Sequence, residues 1–241
     1  MATKINPTNP LTPLYQILRK PKTKPQKQIK LSSCLNPQPT KQSCSNNDLY
    51  SVTFKTLGSG KLGISRYPDF EYDPQGGFGS GTAMVKKKVD GSSSEGELWV
   101  CFDVDTVYIP PLTSKTTKFL GLPLPPFLKI DILPEVFQGT IDLQSGKVEL
   151  EFVAKFSFSA AGGIYKAAPL VVKTVMTSEE SRGERKRGRG ERMDVAGKCR
   201  LVGVAVVDTV DDLFLNAFLS LPTECLADLH ASISLSPLMI N

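Results

Sequence analysis

The sequence predicts a mainly β fold, an antiparallel β-sandwich or barrel with one or two short helices near the C-terminus. Three observations carry that prediction. Residues 147–158 alternate apolar and polar side chains through six repeats, the period of a strand with one face in a core. Shorter runs of the same kind recur along the chain, separated by Gly, Pro and Ser clusters. Stretches with a helical period are few. Many short strands joined by turn chemistry belong to antiparallel sandwiches and barrels.

Residues 1–47 stand apart from this pattern. They hold eight basic residues, nine Ser or Thr and seven Pro, and the first acidic residue of the chain is Asp48. A basic, hydroxylated, acid-free N-terminus has the composition of an organellar transit peptide. Pro7, Pro10, Pro13, Pro21 and Pro25 interrupt any long amphipathic helix of the mitochondrial kind, and Arg19 is the segment's one arginine. The start Met1-Ala2-Thr3 and the Ser-rich end resemble plant plastid transit peptides. The expectation is a disordered plastid transit peptide over residues 1–47 and a single β-rich domain over residues 48–241. The competing reading is a retained basic tail that touches nucleic acid. No apolar stretch approaches the ~20 residues of a membrane-spanning helix, so the expected address is the chloroplast stroma, thylakoid-associated positions included.

The presequence also accounts for the chain's basic character. The formal charge is +5 overall, and removing eight basic and no acidic residues leaves −3. A general nucleic-acid footprint disappears with it. The remaining chain is long enough for one domain with a substantial core. Cys34 and Cys44 fall in the presequence. Cys101, Cys199 and Cys225 stand singly, which indicates neither a disulfide framework nor a zinc site and suits small buried side chains.

The elements follow in order. Residues 50–57 and 70–72 read as weaker strands. Turns are expected at residues 58–60, 74–81 and 90–96. Residues 98–104 put Leu98, Val100, Phe102 and Val104 on one face. Residues 139–143 and 147–158 form a hairpin through Gln144-Ser145-Gly146. Residues 170–177 and 201–207 are apolar on both faces, the pattern of central strands covered on both sides. Asp211 or Asp212 caps a short helix over residues 213–221, which Pro222 stops. Thr223 could cap a further turn through Leu229, and residues 229–235 alternate as a final strand.

Chemistry is sparse. His230 is the only histidine and falls on the polar side of that last strand with Ser232 and Ser234, so a Ser–His or Cys–His site would have to use it as base. Gly58-Ser59-Gly60-Lys61 lacks the metal-binding hydroxyl of a phosphate loop, because Leu62 stands in its place. The glycine-rich residues 76–81 lack dinucleotide spacing. Asp69, Glu71 and Asp73 share a strand face but not a calcium loop. The sequence therefore assigns no catalytic residue, no metal ligand and no cofactor.

Two segments remain as candidate sites. Residues 179–192 carry Arg182, Arg185, Lys186, Arg187, Arg189 and Arg192 against four Glu. This run reads as a mobile, solvated hairpin loop, or as a contact for anionic headgroups, RNA or an acidic protein. Its small net charge and lack of aromatic residues argue against tight nucleic-acid binding. Residues 110–128 carry five prolines, which disfavour regular structure, yet also Phe119, Leu120, Leu122, Leu124 and Phe127, beside Lys115 and Lys118. They read as a crossover packed into the core or capping a barrel end, or as an apolar surface or cavity lid.

A presequence followed by an antiparallel β domain with apolar loops is similar in plan to the plastid lipid-associated fibrillins. That resemblance implies a domain able to hold a hydrophobic ligand and carries no residue across. Three functions are expected in turn. The first is a non-enzymatic plastid protein that binds a lipid-like ligand or docks at the thylakoid membrane. The second is an assembly partner of a plastid protein complex, and the third an enzyme with a cofactor-free barrel site.

Overall fold

A sheet that buries one face must find something to cover it, and here the sheet covers itself. The computed structural model describes residues 49–87 and 93–238, so the expected transit peptide, with Cys34 and Cys44, lies outside the described residues. In chain order the strands are β1 (Leu49–Thr56), β2 (Gly60–Ile64), β3 (Phe70–Tyr72), β4 (Phe78–Lys87) and β5 (Ser93–Phe102). Next come β6 (Thr117–Phe119), β7 (Leu122–Pro123), β8 (Leu128–Asp142), β9 (Val148–Ala160) and β10 (Tyr165–Lys166). The last are β11 (Leu170–Thr177), β12 (Glu180–Arg182), β13 (Arg187–Arg189), β14 (Lys198–Val207) and β15 (Thr223–Pro237). A 3₁₀ turn, Ala161–Gly163, joins β9 to β10, and one helix, α1 (Leu213–Leu219), joins β14 to β15.

The antiparallel order β1-β4-β5-β8-β9-β11-β14-β15 returns to its start, because β15 also pairs β1. The result is a closed eight-stranded barrel, which leaves no edge within that ring. Strand β15 pairs with β14 from Thr223 to Ser232 and divides its other edge between β1 at one end and β2 at the other. From β2 the sheet continues through β3 and β6 to β7 and walls one end of the barrel.

The two ends are filled differently. In the half that contains the β8–β9 turn, Val52, Val100, Ile141, Val148 and Leu150 are fully buried in one solid core. Phe102 stacks on Phe137 at 4.5 Å, and Phe54 meets Phe137 edge-on at 5.0 Å. A bulge in β8 between Pro134 and Val136 marks the boundary. It changes which residues point inward, from Ile130 and Ile132 to Phe137 and Ile141. It also gives Pro134, which has no N–H to donate, a place within a paired strand.

Several predicted elements hold. The 139–143/147–158 hairpin and the alternation of the last strand are present, and the strand expected over 98–104 is present as far as Phe102, with Val104 in the turn that follows. Asp212 caps α1, its Oδ1 accepting from Leu215 N at 2.8 Å. Other expectations are corrected. Among the described residues there is one α-helix, because residues 223–229 are the start of β15 rather than a second helical turn. Pairing with β14 and β2 on both edges outweighs a local cap. Strand β4 begins inside the expected turn at 74–81, since its glycines let it lie tightly against β5. The proline-rich residues 110–128 contain β6 and β7, and β8 starts eleven residues before the strand expected at 139.

Strands β11 and β14 are not covered on both sides along their length. Val171, Val175 and Val206 face solvent, as the outer wall of a barrel allows. Val202 alone is completely buried on the outer side, and what covers it is the charge run. Residues 180–189 are an ordered two-stranded ribbon, β12 on β13, not a mobile loop. Ser181 Oγ accepts from Val204 N at 3.0 Å. A Cβ on Gly188 would sit 3.2 Å from Val202 Cβ and 3.0 Å from Leu226 Cδ1. Glycine there permits close approach rather than flexibility.

Candidate functional site

Above the aromatic layer the barrel is hollow. The cavity measures about 730 Å³. Its floor is Phe54, Phe137, Phe152 and Met176, and its walls are inward side chains such as Ile130, Phe156, Val172 and Leu229. Phe152, Phe156 and Phe158 belong to the inward face of β9, yet each is only half-buried. They are covered by neighbouring strands but face empty space. Protein interiors ordinarily pack to crystal-like density, so an unfilled space of this size is a feature of the fold.

The cavity opens at the end opposite the β8–β9 turn. Its lining runs out to Leu122, Phe127, Phe214 and Phe218, all of which are exposed. Aromatic contacts follow the rim. Phe119 stacks near Phe70 at 4.7 Å and meets Tyr67 at 6.1 Å. Tyr67 lies 5.8 Å from Phe218, which stacks on Phe214 at 5.9 Å, and Phe214 meets Tyr165 at 5.8 Å. Helix α1 spans this rim because it is tied at both ends. Tyr165 Oη donates to Asp212 Oδ2 at 2.8 Å beside its N-terminus. At its C-terminal end, Tyr67 Oη donates to Phe218 O at 2.6 Å and the Arg66 guanidinium donates to Ala217 O at 3.0 Å.

No charged side chain lines the cavity among the described residues. Most of its hydroxyls are engaged with the protein itself. Thr174 Oγ1 donates to Val204 O at 2.9 Å, Thr56 Oγ1 to Pro74 O at 2.5 Å, and Tyr72 Oη to Pro110 O. Burial pushes the Tyr72 hydroxyl well above the usual tyrosine range. Cys225 is the one thiol in the lining, and burial pushes it up to about 11. It is therefore protonated at neutral pH and a poor nucleophile. Cys199, in the solid core, is pushed up to about 12 for the same reason. Such a lining can bury an apolar molecule; it offers no acid–base pair and no activated nucleophile.

The residues singled out from the 110–128 segment divide around this cavity. Phe119, Leu122, Leu124 and Phe127 all line it, Leu124 as a buried wall residue and the others at the mouth. Leu120 is at the β6–β7 tip, exposed and outside the lining, at a positive φ of 51°. Lys115 and Lys118 are exposed on the outside of the same wall.

The basic residues belong to the hairpin that crosses the outer face of β14 and β15, and only its tip, through Lys186 and Asp69, reaches the neighbourhood of the rim residue Tyr67. Arg182 pairs with Glu180, Arg192 with Glu179 and Lys186 with Asp69, at 2.8, 2.5 and 2.7 Å. The Glu224 carboxylate accepts from the N–H groups of Glu184, Arg185 and Lys186 at the hairpin tip, at 2.6–2.8 Å. Those three donors hold its carboxyl below the usual range. His230 contacts Ser59 O through Nδ1 at 3.0 Å on the outer side of β15. Among the described residues no group of His, Cys, Asp and Glu could hold a metal ion.

Phe70, Phe156, Phe158, Tyr165, Phe214 and Phe218 also form the site and were not singled out from the sequence. For α1 a signal existed. Leu-Phe-Leu-Asn-Ala-Phe-Leu has apolar residues on every face, and a short surface helix without a polar face has two surfaces to cover. Leu215 and Leu219 turn inward, and Phe214 and Phe218 turn to the rim. Comparison with known proteins adds nothing to the site: no family model, curated protein or solved structure matches the chain.

Proposed function

We propose that the barrel is a binding protein for a lipid-like hydrophobic ligand, held in its interior cavity and not chemically altered there. One observation carries this reading: the hollow half is lined by apolar side chains, with no ionisable group besides a protonated thiol and tyrosines. Its volume falls in the range of about 300–1,000 Å³ usual for small-molecule sites. Affinity in such a site comes from apolar surface leaving water, and specificity from the length and shape of the chamber between Phe137 and the Phe127–Phe218 rim. In keeping with the acid-free presequence, the proposed place of action is the plastid.

A homologous series of long-chain n-alcohols, displacing a fluorescent acyl probe from the purified protein, tests this. Each added methylene is expected to tighten binding about fourfold, the equivalent of ~0.8 kcal/mol per buried CH₂, until the chain exceeds the chamber. Val172→Trp, which fills the cavity from β11, is expected to abolish displaceable binding. Absence of saturable probe binding, or affinity independent of chain length, would contradict the proposal.

A further inference from the structure

We infer that the mouth end of the barrel docks on a lipid bilayer, its apolar tips entering the interfacial zone so that ligand passes between membrane and cavity without crossing water. The inference rests on the ligand-binding reading for its purpose and is tested apart from it. Four separate segments send exposed apolar side chains to this one end. They are Leu120 on the β6–β7 tip, Phe127 before β8, Ile164 after the 3₁₀ turn, and Leu213 and Phe214 at the start of α1. The backbone places them together. Ala161 N donates to Phe127 O at 3.0 Å, and Tyr165, next to Ile164, packs on Phe214 at 5.8 Å.

These side chains project rather than forming a flat patch. Ile164 is 90% exposed and Leu213 89% exposed, so neither is supported by neighbours. A protein interface needs packed, complementary surfaces, whereas a bilayer is fluid and receives projecting tips without shape matching. Monomeric proteins rarely leave so many large apolar groups on one surface without a use. Tyr67 and Tyr165 stand in the ring behind the tips, each an apolar body with a polar end, the residue type favoured at the headgroup level.

Charge identifies the kind of surface. Arg66, Lys118 and Lys166 near the mouth are offset by Asp208, Asp211 and Asp212 in the approach to α1. At the hairpin tip beside this end, Lys186 is paired with Asp69 and Arg185 faces the Glu224 carboxylate, while Arg187 and Arg189 lie on β13 over β14 and β15. Docking is therefore apolar in origin and requires no anionic lipid, unlike attraction through a polybasic patch.

Flotation of the full chain with neutral phosphatidylcholine vesicles tests this, since such vesicles do not attract the basic presequence by charge. The wild type is expected to float, with less than about twofold change between low and high salt. The variant I164S/L213S removes two side chains that lie outside the cavity lining and are too exposed to support the fold. It is expected to weaken vesicle partitioning at least tenfold, a conservative value for two apolar side chains withheld from burial, while its affinity for the acyl probe stays at the wild-type value. Failure of the wild type to float, or equal flotation of the variant, would overturn the docking, and capture of a protein by a non-floating chain would assign the tips to a protein partner instead. Loss of probe binding with flotation intact would count against the ligand reading and leave the docking standing.

Discussion

Glu224 shows how one side chain fixes the place of a whole segment. Its carboxylate satisfies three backbone N–H groups at the tip of the β12–β13 ribbon, donors that would otherwise need water or a turn partner. Because these bonds favour the ionised form, its folded pKa lies below the unfolded value. The contribution to stability is thus fully present above the ordinary glutamate range, near pH 4.3, and is lost as pH falls through the lower folded value. Amide protection at Arg185 and Lys186 should accordingly fall at acid pH before the barrel opens, as hydrogen exchange would measure. At neutral pH, Glu224→Ala should speed tryptic cleavage after Arg185, Lys186 and Arg187 severalfold. An unchanged cleavage rate would show that strand packing alone holds the tip.

At the scale of the element, the ribbon is a clamp over the outer face of β14. Its docking depends on backbone approaching backbone. A Cβ at Gly190 would lie 2.6 Å from Arg200 O and 2.6 Å from Ser178 C, closer than real contacts allow. Gly190→Ala should therefore cost about 1–3 kcal/mol, the scale of overpacking a tight site, read as a lower urea midpoint with an unchanged slope. The charge run was legible as a hairpin, because its glycines bracket short polar stretches. That it lies flat on Val202 and Leu226 was not legible, because residues 201–207 showed two apolar faces without showing what covers the second, and residues 223–229 were read as a helical turn. The segment over residues 110–128 shows the converse. Its apolar load against five prolines marked it as part of the site, and Phe119, Leu122, Leu124 and Phe127 do line the cavity. Pairing of β6 with β3 supplies the regularity that its prolines argue against locally.

For the whole molecule the division into a solid and a hollow half makes a contrast that stability measurements can read. Leu150 is fully buried in the solid half, so Leu150→Ala should cost about 2–5 kcal/mol through lost transfer energy and a new cavity. Phe158 is the larger side chain but lines a cavity already present. Phe158→Ala should cost less, about 1–2 kcal/mol, because half of its contacts are missing before the change. The order should reverse for ligand: Phe158→Ala should alter the chain-length dependence of n-alcohol affinity, and Leu150→Ala should leave it unchanged. Equal stability losses would mean that the chamber collapses around small deletions.

Local patterns by themselves determined the β class, the inward face of β9 and of the 229–235 part of β15, a cap at Asp211 or Asp212 for α1 and the apolar weight of residues 110–128, since each follows from neighbours within a few positions. The sequence also showed one histidine and no metal or phosphate motif, which narrowed the chemistry before any contact was known. Closure of the barrel, the empty upper half and the rim that joins Phe119, Phe127, Phe214 and Tyr165 were decided only by tertiary structure. A period of two says which side chains point inward. It cannot say whether they meet, because the distance across the barrel depends on strand number, on the β8 bulge and on partners far apart in the chain. Leu150 and Phe158 carry the same inward mark in the alternation of residues 147–158, and one is packed while the other faces space.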